Sequence, residues 1–317
     1  MSDRRLILVD GIIGSGKSTT AQWLCRLLSA HGEPAEWHHE QDVGHPVFEH
    51  HELEAAARMS SGDSLAFHRR ALERWREVAV SAGPGRPVVI IESSFLQAPI
   101  ASMHLAGCSR DVIVGHVAET AQVLRDVPSL LVYLRLRDVA ACVLQICERR
   151  GAEFGAYLLE TITATPYGEQ RVPNESTQVT TFIEELAGLC DVAVGRLECD
   201  VVSAEVDRES WKAIRARLAG CLDVAAVEPD PEPERDDAGQ LVGRYRDIEH
   251  DQELRVIRDG DRLVLHPSGT RLLPTAPDRY ELEGLSVELT FERVDGAAER
   301  IRCQSRMANM GPVWERT

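Results

Sequence analysis

A glycine-rich stretch near the amino terminus constrains the fold of this chain more than any other feature. Residues 11–18 read Gly-Ile-Ile-Gly-Ser-Gly-Lys-Ser and fit the pattern G-x-x-x-x-G-K-[ST], in which backbone N–H groups close around phosphate oxygens. The apolar run at 6–9 predicts a buried strand before the stretch. Helical spacing of apolar residues up to Gly32 predicts a helix after it, whose N-terminus adds positive potential. Strand, glycine loop and helix together form the setting that this phosphate-binding pattern, the P-loop, requires.

The P-loop pattern assigns a role to the polar residues of the loop. Lys17 is expected to reach the β- and γ-phosphates of a nucleotide, and Ser18 is expected to ligate Mg²⁺. The other nucleotide-binding residues expected here are Gly11, Gly14, Ser15, Gly16 and Thr19. The chain contains only two lysines, Lys17 and Lys212, among 35 basic residues. Nearly all basic residues of this chain are therefore arginines, whereas the loop requires the compact ammonium group that Lys17 provides.

Length, charge and cysteine usage limit the classes of function. The 317 residues suggest one large domain or two, and the formal net charge is −16 at pH 7. An acidic chain suits the nucleic-acid backbone poorly, which favours a small-molecule ligand. No apolar run reaches membrane-spanning length, the first residues do not form a signal peptide, and the eight cysteines show no C-x-x-C pair. We therefore expect a cytoplasmic protein with reduced cysteines and no membrane partner.

Apolar runs alternate with helical patterns through the first two thirds of the chain. After the first strand, runs at 34–38, 87–91, 130–134 and 192–197 predict four more. Helical patterns lie at 48–60, 63–82, 111–126, 138–150, 153–163, 176–188 and 209–222. Because each strand is a nearly continuous apolar run, we predict an α/β fold of the P-loop NTPase type, with a five-stranded parallel sheet and helices on both faces. The second and third strands are expected to flank the first.

The composition changes after residue 226. Residues 227–238 alternate proline with acidic residues, which predicts an extended linker. Beyond it, β-like runs at 254–258 and 262–266 flank Asp259-Gly260-Asp261, a strong hairpin signal, and Asp295-Gly296 marks another turn. We predict a nucleotide-binding domain at 1–226, the linker at 227–238, and a small antiparallel β-domain at 239–317.

Four stretches between Leu6 and Leu222 resemble the thymidylate kinase and deoxynucleoside kinase group of P-loop kinases. They are the P-loop, residues 40–42 after the second strand, residues 92–94 after the third, and residues 148–151 at the end of a helix. Residues 39–46 and 91–97 are more similar still to P-loop proteins described only as kinase-like. Deoxynucleoside kinases carry Glu-Arg-Ser where this chain has Glu-Ser-Ser at 92–94.

The carboxyl-terminal part carries a second resemblance. Residues 241–304 are similar to the small lipocalin-like β-domain appended to some penicillin-binding-type hydrolases. The chain contains no S-x-x-K motif of those hydrolases, so the resemblance implies no hydrolase activity.

The kinase resemblance implies roles for polar residues at the ends of the predicted elements. The implied catalytic residues are Lys17, Glu40, Glu92, Arg149 and Arg150, with Glu40 as the candidate base and Glu92 beside Ser18 in the Mg²⁺ shell. The residues assigned to the acceptor are Asp42, His45, Arg69 and Arg70. The structural alternatives are a solvated loop acid for Glu40, a complement to the helix dipole for Arg149 and Arg150, and a solvated helix surface for Arg69 and Arg70.

Two hypotheses from different classes follow. The first is an ATP- and Mg²⁺-dependent kinase that moves the γ-phosphate of ATP to a hydroxyl or phosphate of a small acceptor, such as a nucleoside, a nucleotide or a hydroxylated natural product. The second is a nucleotide-binding regulatory switch that uses the β-domain for partner binding, although the chain contains no N-K-x-D motif of GTPase switches. The sequence leaves open the acceptor, the choice between ATP and GTP, and whether the chain forms a homodimer.

Overall fold

The computed structural model describes residues 3–171, 175–226, 238–247, 252–294, 296–307 and 312–317. The chain divides into two compact units, which we describe separately. Unit 1 comprises Met1–Glu40 and Gly44–Val227, and unit 2 comprises Gln41–Val43 and Glu228–Thr317. The predicted linker at 227–238 lies outside the described residues except for Ala238, and the predicted turn at 295–296 includes Asp295, which also lies outside them.

Unit 1 is an α/β fold built on a five-stranded parallel sheet with the strand order β2-β3-β1-β4-β5, which confirms the predicted α/β class and the predicted number of parallel strands. The strands are β1 Leu6–Gly11, β2 Ala35–His38, β3 Val88–Glu92, β4 Ser129–Arg135 and β5 Val201–Glu205. The helices are α1 Lys17–Ala30, α2 His50–Ala57, α3 Ser61–Ser81, α4 Gln97–Leu105, α5 Arg110–Leu124, α6 Val139–Arg150, α7 Ala152–Thr163, α8 Pro166–Glu169, α9 Glu175–Val194 and α10 Trp211–Cys221. None of the helices in the described ranges combines the length and apolar character needed to cross a lipid bilayer.

Two hydrophobic clusters form the core of unit 1, one on each face of the sheet. Leu6 and Leu8 belong to the cluster that contains residues of α3, α4, α5 and α9. Ile7 and Val9 alternate with them along β1 and belong to the cluster that contains residues of α1 and α10. Each fully buried aliphatic side chain contributes roughly 1.5–3 kcal/mol, so both helical layers are held firmly to the central strands.

The strand order differs from the expectation that the second and third strands flank the first. β1 pairs with β3 on one side and with β4 on the other, whereas β2 lies at the edge and pairs with β3. The burial of the strands explains the difference. All five residues of β3 are buried, while β2 is short and only Trp37 within it is buried. The more apolar strand therefore takes the central position.

The fifth strand is the second correction. The apolar run at 192–197, predicted to be that strand, is instead divided between the end of α9 and the turn after it. Phe182, Leu186, Leu189 and Ala193 are buried at helical spacing, so the run completes one face of α9. The actual strand, Val201–Glu205, lies at the sheet edge and buries only Ala204. Its apolar signal is weaker for that reason.

Unit 2 is an eight-stranded antiparallel, barrel-like sheet with the order β8-β7-β6-β13-β12-β11-β10-β9. The strands are β6 Gly243–Asp247, β7 Gln252–Asp259, β8 Arg262–His266, β9 Leu272–Ala276, β10 Arg279–Leu282, β11 Val287–Val294, β12 Ala297–Ser305 and β13 Val313–Arg316, preceded by a 3₁₀ turn at Ala238–Leu241. A bridge between Val264 and Arg271 brings the two outer strands, β8 and β9, together. Large side chains that include Tyr245, Phe291 and Trp314 fill the inside. The predicted hairpin around Gly260 is confirmed, because Asp259 pairs with Arg262.

Candidate functional site

The carboxyl edge of the parallel sheet gathers the polar residues predicted to act together. β1 leads into the glycine loop, defined here as residues 11–18, and β3 ends at Glu92. β2 ends at His38, so His39 and Glu40 follow it directly. Ligands of α/β proteins bind at this edge, beside the position where neighbouring strands diverge.

The glycine loop is packed so tightly that none of its three glycines has space for a side chain, and a Cβ at Gly11 would lie 2.2 Å from the carbonyl oxygen of Leu134. A Cβ at Gly14 would lie 2.1 Å from Cδ1 of Ile146 on α6, and one at Gly16 would lie 2.8 Å from the ring of Trp211 on α10. Both glycines also have positive φ angles, 80° and 85°. Contacts with α6 and α10 therefore hold the loop in a backbone conformation that favours glycine over residues with a Cβ.

The amino terminus of α1 offers unpaired donors beside a buried ammonium. The first N–H groups of a helix have no partner within the helix, and no side chain in the described part of the chain caps this one at Gly16. Lys17 is buried, and its Nζ donates a hydrogen bond of 3.2 Å to the carbonyl oxygen of Ile12. Such a helix terminus is an anion-binding site.

Glu92 lies at the centre of the polar cluster and is fully buried. Its Oε1 accepts hydrogen bonds from Ser18 Oγ at 3.1 Å and from the Glu40 N–H at 3.4 Å, and His39 Nε2 lies 3.4 Å away. Its Oε2 is buried without a hydrogen-bond partner among the described residues. Burial and the charge of Glu40 raise the pKa of Glu92 well above its ordinary value.

Glu40 is half-buried, and its pKa shifts in the opposite direction from that of Glu92. Desolvation opposes its ionisation, but the charges of Lys17 and His39 and the Ser93 hydroxyl outweigh desolvation and lower the pKa of Glu40. The two carboxyl groups interact, and the directions of their pKa shifts favour the charged form of Glu40 and the neutral form of Glu92. Opposite pKa shifts in one pair are typical of sites that perform acid–base or metal chemistry.

Sequence reasoning missed Asp10 as a residue of the site and predicted His39 only as part of a polar pocket lining. Asp10, the last side chain of β1 before the loop, is buried and accepts hydrogen bonds from the N–H groups of Leu96 at 2.7 Å and Gln97 at 2.9 Å. It thereby fixes the segment that follows Glu92. His39 faces Glu92. In the sequence, Asp10 is indicated by its position as a carboxylate at the end of an otherwise apolar strand. His39 is indicated by its position next to Glu40.

The remaining loop residues and the predicted lid arginines lie near this edge. Ser15 is buried, Thr19 is half-buried in the first turn of α1, and Arg149 is exposed at the end of α6. The guanidinium carbon of Arg150 lies 4.7 Å from the ring centroid of Phe154. Desolvation and Arg149 lower the pKa of Arg150, whereas the charge of Glu40 opposes that shift. Arg150 therefore acts electrostatically on the same cluster as Glu40.

The four predicted acceptor residues lie in three different parts of the chain. His45 is buried, its Nδ1 accepts hydrogen bonds from two backbone N–H groups, and its Nε2 lies 3.3 Å from Ser94 Oγ. Arg69 forms an exposed ion pair of 3.2 Å with Glu119. Arg70 is exposed on α3, and Asp42 belongs to unit 2. His45 thus anchors the loop after β2 to the end of β3, and the acceptor roles of all four stay predictions.

The oxygen donors of the cluster fit a magnesium ion. No group of three or more His, Cys, Asp or Glu residues that could hold a metal occurs within the described ranges. Mg²⁺ differs from metals held in such cages, because it is bound through one or two protein oxygens together with substrate phosphates and water. Glu92, with one buried oxygen lacking a partner and the other bonded to Ser18, provides that donor set.

Comparison with known proteins identifies no family for this chain. No protein-family model matches the sequence, and no curated protein matches it. The function of this chain is therefore inferred from the chemistry of its site.

Proposed function

We propose that unit 1 is a P-loop kinase that uses ATP and Mg²⁺ to phosphorylate a hydroxyl or phosphate of a small molecule. The observation that carries the proposal is the meeting of Lys17 and Ser18, at an uncapped helix terminus, with the unlike carboxyl groups of Glu40 and Glu92. The sequence resemblance to thymidylate and deoxynucleoside kinases supports the same conclusion. Phosphoryl transfer needs positioned charge more than covalent chemistry, and this cluster supplies it.

The glycine loop binds the donor in this proposal. Backbone N–H groups at the start of α1 would hold phosphate oxygens, and Lys17 would exchange its hydrogen bond with Ile12 for one to the β- and γ-phosphates. Ser18 and Glu92 would hold Mg²⁺, which neutralises phosphate charge when it is bound. Arg149 and Arg150, at the end of α6, would add positive charge as the phosphoryl group moves.

Glu40 is the group suited to accept a proton from the acceptor. It is ionised in the cluster, half-buried and located at the end of the edge strand β2, where a substrate can approach. For a hydroxyl acceptor, the oxygen attacks the γ-phosphorus, its proton passes to a Glu40 oxygen, and ADP leaves. A phosphate acceptor is already an anion and needs less of this help.

The test is a transfer assay with the full-length chain, offering ATP or GTP with nucleosides, nucleotides and hydroxylated natural products. We expect nucleotide consumption that depends on one acceptor class and yields a phosphorylated product. Lys17→Ala should abolish transfer and keep the circular dichroism spectrum, whereas Lys212→Ala, which removes the only other lysine, an exposed one on α10, should change neither. Undiminished transfer by Lys17→Ala would falsify the proposal. Tight nucleotide binding without any transfer would instead favour the regulatory switch.

A further inference from the structure

A cavity opens in unit 1 at the amino-terminal ends of the parallel strands, opposite the glycine loop. Its volume is about 660 Å³, and it is lined by Arg4 before β1, Ser129 at the start of β4 and Asp200 before β5. All three positions lie at the amino-terminal ends of strands, so the cavity is distinct from the candidate kinase site. Pockets for small ligands span roughly 300–1,000 Å³, a range that includes this volume.

The inner part of the cavity is apolar. Leu8 and Phe95 line it, and each is only 3% exposed, so the cavity reaches the core beneath β1. The α5 wall carries Ala118 and Ala121 where larger side chains would close the space. A ligand with an apolar body would gain free energy here mainly because its own apolar surface would leave water.

The residues that line the cavity carry one positive charge in excess. Arg4 and Asp200 form an ion pair and cancel each other. The other charged residues that line the cavity are Arg125, Arg196 and Glu198, which together carry one positive charge. No ion pair of Arg196 occurs within the described residues, and the pair of Arg125 with Asp126 is highly exposed and therefore weak. A single carboxylate matches this excess charge, and arginine is the residue best shaped to receive it.

We propose that this cavity is a binding site for an amphipathic monocarboxylate, with the apolar chain against Leu8 and Phe95 and the carboxylate at Arg196 and Arg125. The proposal does not depend on the kinase assignment, because no residue of the glycine loop lines the cavity. The matching molecule is a medium-chain fatty acid or another compound that combines one acid group with an unbranched or ring-bearing apolar body.

The first test is calorimetry of the full-length chain with decanoate below its micelle concentration, beside decanol and decylamine. We expect one saturable decanoate site, weaker binding of decanol by about tenfold, since one charge-assisted hydrogen bond is lost, and no binding of decylamine. Arg196→Gln should weaken decanoate to a similar extent, and the exposed Arg76→Gln on α3 should not. Absence of a saturable site, or equal affinity for all three compounds, overturns the proposal.

The second test locates the ligand. Cys199 lines the cavity and is half-buried, whereas Cys221 is exposed elsewhere on unit 1. Decanoate should slow maleimide labelling of Cys199 and leave Cys221 unchanged, as followed by peptide mass spectrometry. Ala121→Phe should fill the cavity and abolish both binding and protection. If that variant does not fold, the labelling of the wild-type chain still decides, because an unprotected Cys199 places the decanoate elsewhere and refutes the proposal.

Discussion

Two histidines in the core of unit 1 should make its stability fall as the pH falls. His68 on α3 and His116 on α5 are 0% and 3% exposed, and their ring centroids lie 5.5 Å apart. Ser102 donates to the carbonyl of Leu53, so its oxygen accepts a hydrogen bond from His68 Nε2. Nδ1 of His68 and Nδ1 of His116 have no partner among the described residues. Both rings are therefore neutral, and a charge on either would be buried without compensation.

The expected loss follows from the two pKa values. Desolvation, aided by the neighbouring imidazole, lowers the pKa of His68 from 6.5 to about 3, and desolvation lowers that of His116 from 6.5 to about 4. As the pH falls below about 6.5, the unfolded chain binds protons that the folded chain cannot, so the free energy of unfolding decreases. From about pH 7.5 to about pH 5.5 each ring should account for a loss of roughly 1.4 kcal/mol, and the pair for roughly 3 kcal/mol.

Urea unfolding of the full-length chain at these two pH values measures the effect. The helical circular dichroism signal reports on unit 1, since the α-helices of the described residues all lie there. His68→Gln keeps an N–H donor for Ser102 and should reduce the loss between the two pH values by about half, and adding His116→Gln should remove nearly all of it. His51→Gln on α2 is the control, because its side chain is already exposed in the folded chain.

The comparison among variants isolates the two imidazoles from other titrating groups. Buried carboxyl groups such as Glu92 also change the pH dependence, but they do so equally in wild type and variants. If the double variant and wild type lose the same free energy of unfolding between the two pH values, the reasoning is wrong. That result would mean that both rings reach water or gain a partner when they become charged.

Three further predictions concern the glycine loop and the carboxyl pair. Glu40→Gln should keep Mg·ATP affinity and lower single-turnover rates by roughly 10²–10⁴-fold. Glu92→Gln should weaken Mg·ATP binding, as measured by calorimetry. The reverse pattern of affinities would mean that the two residues have each other's roles. Because burial and the charge of Glu40 raise the pKa of Glu92, Mg·ATP binding should release a proton and tighten as the pH rises, so the binding enthalpy should vary between buffers of different ionisation enthalpy. A constant enthalpy contradicts this. Gly14→Ala should destabilise unit 1 by about 1–3 kcal/mol in urea unfolding, because its Cβ would lie 2.1 Å from Ile146, whereas Gly188→Ala on α9, where a Cβ meets nothing within 4 Å, should not destabilise it.

The linear sequence determined the parts of this protein that depend on local pattern. Residues 6–32 alone predict a buried strand, a glycine turn and a helix, since the apolar run, the glycines and the helical periodicity are each local properties. The Asp-Gly signal at 259–260 likewise predicts the β7–β8 hairpin, which requires a positive φ angle at Gly260. The regular alternation of apolar runs and helices predicts a parallel sheet, because such strands need long crossover connections.

Only the tertiary structure decided which strands are neighbours and which polar groups meet. The insertion of β3 between β2 and β1 places Glu92 within hydrogen-bond distance of Ser18, a pair separated by 74 positions in sequence. A short apolar run such as 192–197 is compatible with both a helix and a strand. Here packing decided for the helix, because the run completes the buried face of α9. The unlike pKa shifts of Glu40 and Glu92 arise from burial and mutual distance, which are properties of the packed molecule and have no signature in the local sequence.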